Sequence, residues 1–475
     1  MSGRSPTSRE DIVITGISCR FAGIASPSDL WETIIQRQSG FAPAAFNTKF
    51  SGSDSPECFT DARLPKNAAL LGDLYSCNPS APRFPRRISD GENPDLYFAL
   101  QLVTDALANG GSEPGTLQTD RVSLRLGYAP PTNPAVDIWM QHTCILRQTI
   151  DLIRKCCPGA SGDQLDSLCN QLRNSLPPTS PDGILSSFGS NMAAHISRLL
   201  GLSGPAAALD GGCCSGIHAV QQAMDDLLSK RADIAVAGAL QPPFPAHFIQ
   251  GIAPSCQFSE RRQLKPFSRD SNGTIPGEGG GFLVLKRLKD AMRQGDRIYA
   301  IIRGCGFSVA PNDRILPPAP QPEPVNRAVS RALHSADCSP ASIRLIEAHG
   351  SGIPTSDTAE LRVFRSLCDE NSSRSPMTGI GSVKGNIGHT LWASGIAGII
   401  KAALAIYHRT LPPQIPVERH YPRFFGADSP LYILNESRPW LNGDRKIPRR
   451  ACVSCIDFTG SCAAAVLEEH PEAAE

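Results

Sequence analysis

The stretch Gly204-Pro205-Ala206-Ala207-Ala208-Leu209-Asp210-Gly211-Gly212-Cys213-Cys214-Ser215-Gly216 decides the fold. Its first half, Gly204 to Leu209, reads as a short buried strand. After it, Ile217, Val220, Met224, Leu227 and Leu228 recur at helical spacing. A cysteine at such a junction stands at the positive end of a helix, where the field favours thiolate, the nucleophilic form of sulfur. The junction therefore points to covalent catalysis of the acyl-transfer type. A pair of ordinary buried cysteines is the other reading, and this stretch alone does not choose, because an activated thiol needs a matching base.

The rest of the chain sets the frame. Its 475 residues make about two to three domain-sized units. Hydrophobic residues at 41% and charged residues at 19% fit a globular enzyme rather than a disordered chain. A net charge of +1 exerts no general pull toward nucleic acid or an anionic membrane. The polar start, Met1 to Asp11, has no apolar signal core, and the longest apolar stretch, Leu391 to Ile400, stops at Lys401, short of a membrane span. The 16 cysteines are therefore expected as free thiols in a cytoplasmic setting. Cys156-Cys157 and Cys452-x-x-Cys455 raise the question of a metal. A structural zinc takes four ligands, no Cys/His partner pair stands near the single Cys-x-x-Cys, and no metal site is expected.

Along the chain, Asp11 to Gly16 reads as a buried strand and Ser28 to Ile35 as a capped amphipathic helix. Residues 40–95 read as long surface loops, and 132–185 as mostly helical with a break near 176–183. From residue 197 onward strands alternate with helices: strands at 233–238, 281–286, 299–304, 343–347 and 463–467, and helices at 288–294, about 325–335, 357–368 and 395–407. This alternation predicts an α/β protein with mostly parallel sheets.

Two further motifs weigh on the cysteine. Glu347-Ala348-His349-Gly350-Ser351-Gly352-Ile353-Pro354-Thr355-Ser356-Asp357 follows a buried strand directly. Ser382-Val383-Lys384-Gly385-Asn386-Ile387-Gly388-His389 leads into a helix. Both histidines sit in glycine-bordered turns at strand ends, where α/β folds place their chemistry.

Together, 210–216, 347–357 and 382–389 resemble the three active-site motifs of β-ketoacyl synthases, specifically polyketide synthase ketosynthases. Ile14 to Phe21 with Leu30-Trp31, Lys265-Pro266-Phe267 through Gly277-Glu278-Gly279-Gly280-Gly281, and Cys452 through Glu469 resemble the opening, centre and end of that family. The resemblance covers about residues 11–469. It implies the thiolase fold, two similar halves in a five-layered αβαβα stack, divided here as 11–275 and 276–469, with 1–10 and 470–475 as loose tails.

The resemblance also implies roles. Cys213 takes the place of the acyl-accepting nucleophile. His349 and His389 take the place of the pair that assists decarboxylation of a malonyl-type thioester and holds the enolate oxygen. Lys384, paired with Glu360, is expected in a network that orients them. The N–H groups of Cys213 and Phe458 are expected to form a second oxyanion hole, Phe458 also being the gate. The implied reaction is decarboxylative Claisen condensation. An acyltransferase or cyclising and releasing enzyme using the same acyl-cysteine is one alternative, and a non-catalytic chain-length subunit is another. No permanently bound cofactor is implied; a phosphopantetheine arm arrives on an acyl carrier protein, and a homodimer is expected, formed by a discrete enzyme or an excised domain. Arg83, Arg86, Arg87, Arg261, Arg262 and Lys265 are candidates for docking that acidic carrier, or are plain solvated charge.

The chain also departs from the family. The small polar pair before the cysteine is Gly211-Gly212, which predicts a more flexible elbow; Cys214, Gly216 and His218 are unusual as well. The glycine-rich gate reads Asp457-Phe458-Thr459-Gly460. Asp and Thr resist dihedrals that glycine allows, so altered gating and substrate preference are expected.

Overall fold

The computed structural model describes residues 10–44, 64–72, 92–112, 118–129, 133–311, 320–369, 378–441 and 447–471. Eleven strands hydrogen-bond into one mixed sheet: β1 Ile12–Phe21, β2 Val122–Gly127, β3 Ala206–Leu209, β4 Ile234–Gln241, β5 Gly279–Arg287, β6 Ala300–Val309, β7 Leu345–Glu347, β8 Thr378–Gly381, β9 Leu431–Ile433, β10 Arg450–Ile456 and β11 Ser461–Glu468. Their order is β9-β8-β7-β10-β11-β6-β1-β5-β4-β2-β3. The longer helices are α1 Pro27–Ile35, α2 Pro94–Asn109, α3 Leu146–Cys156, α4 Gly162–Ser175, α5 Gly189–Leu200, α6 Ser215–Leu228, α7 Leu288–Gln294, α8 Pro322–Ala336, α9 Pro354–Asp369 and α10 Ser394–Tyr407; α3 and α4 pack on each other in a small core of their own, apart from the sheet.

The connectivity repeats. β3-β2-β4-β5-β1 forms one five-stranded half, and β8-β7-β10-β11-β6 repeats the same order, with β9 added at its edge. The halves meet where Ile12–Ile14 of β1 pair antiparallel with Ile302–Ala300 of β6. The repeat turns over after β5. Residues 276–287, expected to open the second half, thus run in the first-half sheet, because β5 is antiparallel to both β1 and β4.

Half of the ladders are antiparallel: β1 with β5 and β6, β4 with β5, β6 with β11, and β10 with β11. The expectation of mostly parallel pairing therefore fails. Helical crossovers make β2, β3 and β4 parallel, and likewise β7, β8 and β10. β10 and β11 are instead joined by the short turn 457–460, which permits only antiparallel pairing.

Apolar packing separates five layers. α2 and α5 bury their stripes on the outer face of the first half, with Leu102, Val103, Met192 and Ile196 against Val236 and Phe282. α8 and α9 do the same on the second half. α6 and α10 are shared between the two inner faces in one continuous core. α10 is buried along its length because it has sheet on both sides.

The starts of α6 and α10 interlock. Each follows a 3-10 turn, Gly212–Cys214 and Leu391–Ala393. A methyl on Gly216 would lie 2.6 Å from the Ile396 backbone nitrogen, and one on Gly395 would lie 2.9 Å from Ile217 Cγ1. The unusual Gly216 is thus required by a helix–helix contact. Gly216→Ala should lower stability by about 1–2 kcal/mol, because the overpacking cost of about 1–3 kcal/mol exceeds the gain in helix propensity. Urea unfolding checks this, and a variant as stable as the parent would refute the contact.

Candidate active site

Cys213, His349 and His389 each follow the C-terminal end of a parallel strand, β3, β7 and β8 respectively, and converge at the ends of α6 and α10. All three are buried. Cys213 Sγ lies 4.0 Å from His389 Nε2, and the two imidazole centroids are 5.1 Å apart, edge to face.

Backbone donors fix both tautomers. The Ile456 N–H donates to His349 Nδ1 at 3.2 Å, and the Leu391 N–H donates to His389 Nδ1 at 3.2 Å. A neutral imidazole that accepts at Nδ1 carries its proton on Nε2. Both rings therefore offer an Nε2–H donor. Leu391 holds its N–H there at φ 31, a left-handed conformation that persists where surrounding packing fixes it. The His349 loop needs glycine at 350, which has φ 45 and a missing Cβ that would meet Ser382 Cβ at 2.6 Å.

Burial, then the Lys384 charge, holds His349 well below its ordinary value of 6.5, with His389 adding to the effect. Burial and Lys384 do the same to His389. The rings are thus neutral donors, and the expected Lys384–Glu360 network acts through charge rather than contact: burial raises the Glu360 carboxyl, while its hydrogen bonds and the Lys384 charge oppose that rise. Lys384 is buried but forms no direct ion pair with Glu360 among the described residues. Glu360 Oε1 and Oε2 accept from the His349 N–H at 2.7 Å and the Gly350 N–H at 2.9 Å, and Ser454 Oγ donates to the same carboxylate. Glu360 positions the His349 backbone, while Lys384 acts on the rings through its charge. The contact ion pair of this region was not foreseen. Lys401 Nζ meets Glu347 Oε2 at 2.6 Å, both buried, while Glu347 Oε1 accepts from the Val383 N–H.

The thiolate expectation fails for this state. Burial pushes the Cys213 thiol well above its ordinary range, Asp457 and Cys455 push the same way, and Lys384 opposes them. The low-dielectric surroundings outweigh the helix field. Cys455 also donates to the Cys213 carbonyl at 3.0 Å and lies 3.8 Å from His349 Nδ1. Cys452 and Cys455 lie three apart on β10, so they face opposite sides of the sheet, Cys455 into the central core and Cys452 into the outer one. That alternation, readable in the sequence, rules out a shared metal between them.

The departures fill one another's space. A Cβ on Gly211 would lie 2.6 Å from His218 Cδ2, and one on Gly212 would lie 2.0 Å from Asp457 Oδ1. The glycines make room for unusual side chains; the predicted loose elbow is a packed one. His218 stacks on Phe307 with centroids 4.2 Å apart. Trp392 Nε1 donates to Asp210 Oδ1 at 3.1 Å, tying the His389 turn to the Cys213 turn. Asp457 Oδ1 accepts from the Cys213 N–H at 3.0 Å. The N–H expected to serve an oxyanion is already bonded. Phe458 is 37% exposed and stacks over His389 at 5.9 Å. Of the docking candidates, Arg261 and Arg262 are exposed, Lys265 pairs with Glu418 at 3.5 Å, and Arg83, Arg86 and Arg87 lie outside the described residues.

Residues 9–291 match the β-ketoacyl synthase N-terminal domain and residues 299–418 the β-ketoacyl synthase C-terminal domain. The chain belongs to the β-ketoacyl synthase family. The chain is 28% identical over 470 residues to the spectinabilin polyketide synthase system protein NorA' of Streptomyces orinoci, covering 98% of this chain and 12% of that protein. It is 36% identical over 282 residues to polyketide synthase PksL of Bacillus subtilis, covering 58% of this chain and 6% of that one. It thus spans only a small part of the length of these relatives. The ketosynthase from module 6 of the bacillaene synthase from Bacillus subtilis 168 superposes with a TM-score of 0.76 at 27% identity, over 97% of this chain and 72% of that one. The oxazolomycin ketosynthase domain OzmH KS7 of Streptomyces albus JA3453 has the same fold, at a TM-score of 0.79 over 97% of this chain and 74% of that one, with 24% identity.

The two neutral rings can be tested directly. A histidine held below 6.5 binds its proton only at lower pH. Its contribution to stability is therefore complete above about 6.5 and is lost as pH falls toward the folded value. In selectively labelled protein, the ring signals of His349 and His389 should not shift between about pH 8 and pH 6.5. A titration midpoint at about 6.5 for either ring would overturn the neutral-donor assignment.

Proposed function

We propose that the chain is a polyketide-type β-ketoacyl synthase, an acyltransferase that elongates an acyl chain by decarboxylative condensation. The observation that carries this reading is the pair of Nε2–H donors, His349 and His389, beside the Cys213 sulfur. In the first half-reaction, the Cys213 sulfur bonds to the acyl carbonyl carbon and the donor C–S bond breaks. The thiol proton ends on the released thiol. In the second, carbon dioxide leaves a malonyl-type thioester and its bonding pair becomes an enolate. Two fixed neutral donors stabilise that oxygen without a metal. The enolate carbon then attacks the acyl-cysteine carbonyl, and Cys213 leaves as thiolate and regains a proton.

The acyl groups would be delivered on the phosphopantetheine arm of an acyl carrier protein, with no permanently bound cofactor. A homodimer would form through the half-buried edge strand β3. A cytoplasmic setting suits the thiols: Cys213, Cys214, Cys455 and Cys462 are all unlinked by disulfides. No helix among the described residues is long and apolar enough to cross a membrane.

Mass spectrometry after incubation with an acyl-carrier protein tests the assignment. Cys213→Ala should abolish the adduct, whereas Cys214→Ser, whose thiol faces the Cys455 and Ser461 carbonyls, should retain most of it. Equal loss in both would refute the choice of sulfur. His389→Ala should lower release of carbon dioxide from a malonyl thioester by about 10²–10³-fold. An adduct without any such release in the parent would favour the acyltransferase alternative.

A further inference from the structure

The acyl-transfer and decarboxylation half-reactions use different donors. The enolate oxygen faces the two imidazoles. The tetrahedral oxyanion formed on Cys213 needs backbone N–H groups next to that sulfur. In this chain the Cys213 N–H is occupied at 3.0 Å by Asp457 Oδ1. The Phe458 N–H donates to no protein acceptor among the described residues. One donor of the pair is thus blocked by an anion of the protein's own, at the place where substrate negative charge must develop.

The blocking contact is built into the turn that carries it. Asp457 Oδ2 accepts from the Thr459 N–H at 3.0 Å and from Thr459 Oγ1 at 2.6 Å. The Asp457 N–H donates to the Ser461 carbonyl at 2.7 Å, and Gly460, at φ 86, donates back to the Asp457 carbonyl. All these bonds are internal to the β10–β11 connection. Among the described residues, the Asp457 carboxylate reaches another element at Cys213, through the bond from its N–H and an interaction with its thiol. Gly212, at φ 55, provides the space, since any Cβ there would overlap the carboxylate. The same turn places Phe458 over His389.

Resting on the condensing-enzyme reading, we infer that Asp457 is a positioning residue that latches the oxyanion hole of Cys213, so that an acyl donor must displace its carboxylate before Cys213 can be acylated. When the turn lifts as a unit, the Cys213 N–H becomes free and Phe458 moves off His389. Acylation is thereby restricted to donors that engage the turn, while the imidazole pair keeps its geometry in either position. The chemistry of the step is unchanged: the Cys213 S–C bond forms, the donor C–S bond breaks, and the thiol proton passes to the released thiol. Asp457 also helps hold the Cys213 thiol protonated, which slows both reactions of the sulfur, but at the oxyanion it decides whether the charge is met by a donor or by another anion.

The experiment compares two reactions of the same sulfur. Acylation by a hexanoyl N-acetylcysteamine thioester needs the oxyanion hole; alkylation by iodoacetamide does not. Both rates at Cys213 are read by mass spectrometry of the full chain. Asp457→Gly should raise the ratio of acylation to alkylation at least about tenfold, given the 10²–10³-fold effect of one oxyanion donor. Asp457→Asn, which keeps the shape without the charge, should fall between the two. Thr459→Ala, which leaves the carboxylate in place with the residue-459 N–H still on its second oxygen but removes the Oγ1 bond to it, should raise the ratio by a smaller factor and serves if Asp457→Gly does not fold. A ratio within about twofold of the parent in the glycine and alanine variants, with measurable acylation in all, refutes the latch alone. No acyl adduct on parent or variants, with alkylation intact, overturns the condensing-enzyme reading and the latch with it.

Discussion

The reciprocal contact between the starts of α6 and α10 is the constraint on which the site depends. Gly216 leaves room for the Ile396 backbone and Gly395 for Ile217, so two helices from different halves approach with little between them. Each helix is preceded by a 3-10 turn that carries chemistry or supports it, Cys213 in one and Leu391 in the other. The 4.0 Å separation of Cys213 Sγ and His389 Nε2 follows from that approach. Larger residues at 216 or 395 would move Cys213 and His389 apart together with their helices.

Burial then sets the protonation of the whole cluster. Desolvation penalises every charged form, so it raises the thiol and lowers the imidazoles at once. The Lys384 charge reinforces this for the rings and opposes it for the thiol. The result is a set of neutral groups whose hydrogen atoms are directed by backbone donors. Such a site holds donors ready for charge that develops during reaction, at no cost of reorganisation. Asp457 is the exception, an anion placed on one of those donors.

Much of this was legible in the chain. The bounds of helix α7 are legible to the residue, because Leu288 to Gln294 lies between a continuous apolar strand and a glycine that caps in the left-handed region. The strand-turn placement of Cys213, His349 and His389 was equally readable, since glycine spacing marks the turns. Strand β2 was not, because Val122–Gly127 carries Arg125, whose burial depends on a 2.7 Å pair with Asp226. Antiparallel pairing of β5 with β1 and β4 was hidden as well, because continuous apolar runs look alike in either direction.

The sequence by itself marked Cys213, His349 and His389 as residues of glycine-bordered turns and gave the alternation of strand and helix, while the layered architecture came from the resemblance its motifs carry. Residue type, glycine spacing and the alternation of strand and helix are local properties of a chain. Only the tertiary structure decided what the departures do. Gly211 and Gly212 looked like sources of freedom until His218 and Asp457 were seen to fill their space, and Asp457 meets the Cys213 N–H across a sequence separation of 244 residues. The family resemblance implies a Lys384–Glu360 pair, yet Glu360 spends its oxygens on backbone N–H groups and Ser454 and meets Lys384 through charge alone. Which donor meets which acceptor depends on distances between distant segments, and folding alone sets those.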